Sequence, residues 1–347
     1  MPTDDEQKLR QWFQRDKRDL PWRQNPSPYR VWISEVMLQQ TRAVVVTEYF
    51  ERWMTIYPSI ESLAQAPIEA LIKLWEGLGY YNRVRNIQKA AHYFMEQHGG
   101  QIPADQHALL KVPGLGPYTV GAILSFAFQK KQAAVDGNVA RVMSRYHAFK
   151  EEISSVKARR QLELFTQDFL PEKEPFIVME ALIELGAVVC RKTPQCLRCP
   201  LQSGCRAHLC DLADEIPKKK RPRATIYLHK EVFIVRSGNA FLVCKQPVGK
   251  VLGGLYEFPS IDKEEGLIID IYLKNKFGLD AHLIEELGVE QYTYTHHAVE
   301  LFPSIWETLC KKSIPGYEWR DGEELFALPF SSGHRRILAN LAKGESV

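Results

Sequence analysis

Leu109 to Thr119 reads LLKVPGLGPYT, and Ala133 to Val139, a little further on, reads AAVDGNV. In the first stretch Gly114 and Gly116 bracket Leu115, with helical apolar spacing on either side. Glycines here are expected to let the turn take positive φ and to leave backbone N–H groups bare at the start of the following helix. Bare N–H groups at the positive end of a helix suit an anion such as a DNA phosphate. On these residues alone an ordinary helix–helix turn fits equally well. The second stretch is another turn, with Asp136 beside a glycine and an asparagine, and such residues form turns readily.

Helical patterning extends outward from this hairpin, from the N-terminus to about Leu212. Leu9, Trp12 and Phe13 form an i, i+3, i+4 stripe, as do Tyr49, Phe50, Trp53 and Met54. Pro58-Ser59, Ala66-Pro67, Gly99-Gly100 and Pro171 cut the run into short helices. Ile216 to Arg223 reads IPKKKRPR, which has nothing to bury and is read as an exposed linker, either a plain tether or a contact to DNA phosphate. Beyond it the period shortens. Ile226 to Val235, Phe241 to Cys244 and Leu255 to Phe258 read as strands, with helices expected over Leu267 to Phe277 and Gly333 to Ala342. The expected fold is multidomain: an all-α domain over 1–214, a basic linker over 215–225 and an α+β domain over 226–347.

With 347 residues, 45% hydrophobic and 25% charged, the chain has the composition of a soluble globular protein, and its length suits two domains. No apolar run is long enough for a membrane span, and the polar start MPTDDEQKLR is not a signal peptide, so an intracellular protein is expected. The net charge of +3 does not identify a nucleic-acid binder by itself. Five of the seven cysteines crowd between Cys190 and Cys210, which favours a metal site over a disulfide framework. Cys190, Cys196, Cys199 and Cys205 have spacings of five, two and five residues. Four thiolates so close can wrap an iron–sulfur centre; structural zinc, which more often takes two short Cys pairs, stays open. Arg191, Lys192, Arg198 and Arg206 lie among these cysteines and could press on a phosphate backbone.

VPGLGPYT (Val112 to Thr119) followed by VDGNV resembles the helix-hairpin-helix DNA glycosylases. VWISEVMLQQT (Val31 to Thr41), WEGLGYYNR (Trp75 to Arg83) and EALIELGA (Glu180 to Ala187) resemble, more specifically, the MutY-type adenine DNA glycosylases. The resemblance is dense through about residue 210 and thinner beyond. It implies an all-helical DNA-binding domain with a [4Fe-4S] cluster loop at about 190–210 and a Nudix-like C-terminal domain. The implied activity is hydrolysis of the N-glycosyl bond of adenine mispaired with 8-oxoguanine or guanine. The implied partner is double-stranded DNA carrying that mispair. A monomer is expected, cytoplasmic and nucleoid-associated if bacterial.

Carried over residue by residue, Glu35 resembles the general acid and Asp136 the second catalytic carboxylate. Adenine leaves deoxyribose poorly until a ring nitrogen is protonated, and the stretching bond leaves an oxocarbenium-like sugar that an ionised carboxylate can steady. Glu35 would need a pKa raised by burial, for which Val31, Trp32 and Leu38 are candidates. Tyr118 stands where related enzymes that nick the backbone carry a lysine; a phenol forms no Schiff base, so monofunctional base removal is favoured over a glycosylase-lyase. Asn138 and Glu180 are the further active-site candidates. Gln40 and Tyr80 resemble residues that enter the base stack at the lesion. Thr41, Leu78, Arg23, Gly114 and Gly116 are the other expected DNA contacts.

Gly253 to Phe258, GGLYEF, resembles the start of a Nudix box, but Tyr272 to Gly278, YLKNKFG, has none of the glutamates that would hold Mg²⁺. Hydrolysis by the second domain is therefore not expected. Tyr294, Thr295 and His296 stand where the family has a lesion-reading Phe-Ser-His, although a shift of one residue brings in His297. The family pattern also has one residue more between its first two cluster cysteines than the five found here, so Cys196, Cys199, Cys205 and Cys210 form a competing ligand set. A non-catalytic DNA-binding relative is the remaining alternative.

Overall fold

The computed structural model describes residues 4–218, 224–247, 249, 251–263 and 268–344. Contacts divide the chain into two units: Met1–Ala66 with Arg85–Arg221, and Pro67–Val84 with Pro222–Val347. No helix among the described residues is long and apolar enough to cross a membrane.

The first unit is helical, and its sequence punctuation explains why. Pro28, Pro117 and Pro175 each open a helix, where the missing N–H costs nothing. Ser27, Asp105, Asp136 and Ser155 cap helix starts through their side chains, and Ser59 does so in a capping box with Ser62. The stripe of Leu9, Trp12 and Phe13 is buried, as are Phe50 and Trp53. Trp32 has no exposed surface and meets Phe94 edge to face at 5.3 Å. This aromatic core holds helix Pro28–Leu38 in the centre of the unit.

The basic linker begins later than its composition implies. Ile216 is 2% exposed. Its carbonyl accepts Arg145 Nε at 2.8 Å, and the Lys218 carbonyl accepts the Ile153 N–H at 3.2 Å. One apolar side chain and a buried guanidinium thus pin Ile216 and Lys218 to the helices. Lys219 to Arg223 lie outside the described residues.

The second unit is built on β1 (Ile226–Ser237), β2 (Ala240–Lys245), β3 (Tyr256–Glu257), β4 (Ser260–Asp262), β5 (Ala281–Glu286), β6 (Glu290–Tyr294), β7 (His297–Thr308) and β8 (Glu318–Asp321). The sheet runs β3-β2-β1-β7-β5, with β4 on β1, β6 on β7 and β8 on β2. Long parallel β1 and β7 form its spine, paired from Ile226 with His297 to Arg236 with Glu307. Side chains alternate between faces. Val232 and Ile234 join one apolar cluster with Leu301, Phe330 and Ile337, while Phe233 and Val235 join another with Leu273 and Phe277. Helix Ser332–Gly344 supplies Ile337 and helix Ile269–Phe277 supplies Leu273 and Phe277, in line with the α+β expectation. The β5 to β8 strands were not anticipated. β7 carries Pro303, a residue that argues against a central strand when only local pattern is read.

Candidate active site

Glu35 sits near the end of helix Pro28–Leu38 and is 5% exposed. It opens onto a cavity of about 1040 Å³ lined also by Tyr118, Asp136, Asn138, Glu180 and Arg23. Val31 and Leu38 line the same cavity, whereas Trp32, the third expected neighbour, lies in the core behind it. Burial pushes the Glu35 carboxyl up to about 7. The Tyr118 hydroxyl donates a hydrogen bond to Glu35 Oε2 and opposes the rise, whereas Asp136 and Glu180 add to it. Burial, followed by the Glu35 and Asp136 charges, holds the Tyr118 phenol far above its usual range, so it remains a donor.

Asp136 caps helix Gly137–Tyr146. Its Oδ1 accepts the backbone N–H of Val139 at 2.8 Å and of Asn138 at 2.9 Å, and its Oδ2 accepts Asn138 Nδ2 at 2.8 Å. Burial raises its pKa, and these three donors act in the opposite sense, as does the Arg141 charge. Asn138 is itself held: its Oδ1 accepts Arg141 Nη2 at 2.8 Å, and Arg141 Nε donates to the Cys190 carbonyl at 2.7 Å. A Cβ on Gly186 would come within 2.6 Å of Asn138 Cβ, so only glycine lets the two helices approach this closely. Asp136 is therefore both the helix cap and a carboxylate lining the cavity, held through Asn138.

Of the two hairpin glycines only Gly114 has positive φ, at 80°. A Cβ there would also meet Asn86 Cβ at 2.5 Å. Gly116 is the helix N-cap at φ −92°, an extended conformation, so its value is the open space beside it rather than an unusual dihedral. Both line the cavity.

Glu180 faces the cavity from helix Pro175–Val188, with burial raising its pKa against the Arg23 and Lys17 charges. One turn on, Glu184 has no exposed surface. It accepts Arg18 Nε at 2.6 Å and Arg23 Nη2 at 2.8 Å. Burial pushes Glu184 up, but the two guanidinium groups bring it below the usual carboxylate range. Arg23, expected as a DNA contact, is paired with carboxylates: its side chain is 12% exposed and also lies 3.6 Å from Glu180. Arg18 and Arg23 together balance the buried Glu184 charge, which neither leaves for another partner without cost. Sequence reasoning missed Arg18 and Glu184; the i, i+4 glutamates of EALIELGA were the available signal.

Gln40 and Thr41 line the cavity mouth beside Gln39. Gln40 is exposed with φ 60°, and Tyr80 is 46% exposed with φ 49°. Left-handed backbone is costly for such residues and tends to mark functional sites. Leu78, by contrast, is 5% exposed, and its carbonyl accepts Arg83 Nη2 at 2.9 Å. Its side chain is buried, so only its backbone is placed to meet a ligand. In the second unit Thr295 and His296 form a two-residue turn between β6 and β7, with Thr295 at φ 50°. Tyr294 stacks on its cross-strand partner His297 at 4.8 Å, and His297 also lies 4.3 Å from the His296 ring.

Cys190, Cys196, Cys199 and Cys205 line one small pocket; Cys210 is exposed and absent from the lining. Arg145 Nη1 lies 3.3 Å from Cys190 Sγ. Burial raises the thiol pKa of Cys196 and Cys205 and pushes Cys199 up to about 12. Thiolates in such a pocket need a positive centre beside them. No group of three or more His, Cys, Asp or Glu side chains among the described residues could hold a single metal ion.

Residues 33–167 match the family model of the HhH-GPD superfamily base excision DNA repair proteins, and residues 231–340 that of the NUDIX domain. The chain is 41% identical to the adenine DNA glycosylase of Rattus norvegicus, over 95% of its own length and 76% of that protein. It is 31% identical to the adenine DNA glycosylase of Buchnera aphidicola, over 89% of this chain and 87% of that one. A solved non-covalent complex of endonuclease III with DNA is similar in structure, with TM-score 0.52 and 26% identity over 61% of this chain and 99% of that chain.

Proposed function

The chain belongs to the adenine DNA glycosylases, base-excision repair hydrolases of N-glycosyl bonds, and from that premise we propose that it flips adenine mispaired with 8-oxoguanine or guanine out of duplex DNA and releases it without cutting the backbone. The observation that carries this reading is the pairing of a buried Glu35, pKa about 7, with Asp136 on one cavity. At neutral pH Glu35 is poised to give a proton to the departing purine. Asp136, held by three donors, faces the sugar as it becomes cationic. Tyr118 fixes the Glu35 carboxyl, and Asn138 fixes Asp136. Glu180 adds negative potential that favours both the protonated acid and the cationic sugar.

The absence of lysine among the described residues lining the cavity supports a monofunctional enzyme, because no amine is placed to form a Schiff base. Gln40 and Tyr80 fill the stack vacated by the extruded nucleotide, and Tyr294, Thr295 and His296 read the opposite purine. Gly114, Gly116 and Thr41 contribute to the DNA face, and the enzyme acts as a monomer. The C-terminal domain reads and does not hydrolyse.

Cys190, Cys196, Cys199 and Cys205 would hold a [4Fe-4S] cluster; four thiols lining one pocket suit a centre ligated by thiolates. When bound, the cluster supplies the positive centre that stabilises these thiolates and ties the basic loop in place. Iron and sulfide content should survive Cys210→Ala and be lost in Cys190→Ala; the reverse would exchange the ligand sets.

The test of the whole reading is single-turnover adenine release from a duplex with one adenine opposite 8-oxoguanine, comparing the protein with its Glu35→Gln variant. Equal background-level release from both would leave only a DNA-binding relative. Borohydride trapping in high yield would overturn the monofunctional assignment.

A further inference from the structure

Pro67–Val84, the segment carrying Tyr80, groups with the C-terminal residues rather than with the helices that flank it in sequence. Its loop is stiff. Gly77, Gly79 and Tyr80 all have positive φ. Trp75 Nε1 donates to the Gly79 carbonyl at 3.0 Å, and Arg83 Nη2 donates to the carbonyls of Leu78 and Gly79 at 2.9 and 3.1 Å. The Arg83 guanidinium lies over both the Trp75 and Tyr80 rings.

This loop stands on Glu76, whose side chain is 16% exposed. Glu76 Oε1 accepts Arg335 Nε at 2.7 Å and the Phe330 N–H at 2.9 Å, and Oε2 accepts Lys73 Nζ at 2.8 Å. Lys73 continues to the Phe326 carbonyl at 2.6 Å, and Arg335 Nη2 to that of Leu328. Arg335 belongs to helix Ser332–Gly344, and that same helix grips β6. Asn340 Nδ2 donates to Glu290 Oε1 at 2.8 Å, Arg336 Nη1 lies 3.9 Å from Glu290 Oε2, and a Cβ on Gly333 would collide with the Tyr292 ring at 2.6 Å. Strand β6 ends at the Thr295 turn.

We propose that the Glu76–Arg335 pair is a latch that makes the Tyr80 loop and the Thr295 turn one rigid piece, so that seating the oxidised purine on the turn fixes where Tyr80 enters the base stack. Glu76 is on this account a positioning residue for lesion preference, not a catalytic one. The inference rests on the lesion-reading and stack-entering roles proposed above. It adds the physical connection between them: Glu76, paired with Lys73 in its own segment and with Arg335 across the gap, bridges a loop and a helix that are remote in sequence. Linked in this way, the two elements lose little freedom when they meet DNA together.

The test is a double-mutant cycle on the full-length protein. Tyr80→Ala, Glu76→Gln and the combination are compared by single-turnover release from adenine:8-oxoguanine and adenine:guanine duplexes. In parallel, 2-aminopurine beside the 8-oxoguanine reports stack insertion through its fluorescence. Glu76→Gln keeps an acceptor for the Phe330 N–H and removes the ion pair; Arg335→Gln approaches the same pair from the other side, and thermal melting checks that both variants fold. Each is expected to lower the 8-oxoguanine-over-guanine rate ratio about tenfold, to blunt the fluorescence change, and to add almost nothing to Tyr80→Ala. Full additivity, or an intact fluorescence change in folded Glu76→Gln, would overturn the latch. If Tyr80→Ala alone leaves rates and fluorescence untouched, the stack-entering role itself fails and the latch with it, a result seen without any Glu76 variant.

Discussion

The cavity of the first unit and the β6–β7 turn of the second use similar residue types to opposite ends. In the cavity Glu35, Asp136, Glu180 and Tyr118 are withdrawn from water, and burial is the largest influence on every one of their pKa values. At the turn, Tyr294, Thr295, His296 and His297 stay partly or fully exposed, and their rings are arranged by stacking on one another. Low dielectric converts a carboxyl into a proton donor at neutral pH; an exposed stack of rings offers shape and hydrogen bonds but no reactive charge. On the proposed function, the first region would suit bond breaking and the second recognition.

The largest expected effect tests the chemical half of this contrast. Glu35→Gln should lower single-turnover adenine release by about 10³-fold with duplex affinity retained, and a loss below about tenfold would remove Glu35 as the acid. In the unaltered enzyme the rate should fall as pH rises through about 7, because the acid must be protonated to donate. Asp136→Asn should cost about 10²-fold and move that pH limb to lower pH, since the limb belongs to Glu35 and the Asp136 charge helps to raise it.

The same burial should be visible as instability. The folded Glu35 carboxyl holds its proton up to about pH 7, against 4.5 when unperturbed. Folding therefore loses stability as pH rises from about 4.5 to about 7, and the full penalty persists above that, about 3 kcal/mol at most. Glu35→Gln should accordingly melt higher at pH 8 and show little gain at pH 4.5, measured by calorimetry. An unchanged melting point at pH 8 would contradict the burial argument. At the turn, Thr295→Ala should alter stability by only about 0.5 kcal/mol, as expected for an exposed site. Its smaller kinetic effect, about tenfold or less, should fall on the preference for 8-oxoguanine over guanine and spare the pH profile.

Much of the fold was legible because its signals are local. The i, i+3, i+4 stripe at Leu9, Trp12 and Phe13, the proline and glycine punctuation and the glycine hairpin each express a rule acting within a few residues. β7 was not legible: its partner β1 is far away in the chain, and Pro303 masks its pattern. The partners of Arg23 and Ile216 were not legible either: Arg23 pairs with Glu184 and the Ile216 carbonyl with Arg145, residues remote in the chain.

The sequence by itself determined where helices start and stop, which cysteines cluster, and that Tyr118 is no Schiff-base amine. Only the tertiary structure decided that Glu35 and Asp136 share one cavity, that Glu184 commits Arg23 inward, and that the Tyr80 segment packs with the C-terminal unit. The reason is physical: propensity and ligand spacing are properties of a short window of chain. Burial, and with it the protonation of a carboxyl or the allegiance of a guanidinium, exists only once remote segments have closed around it.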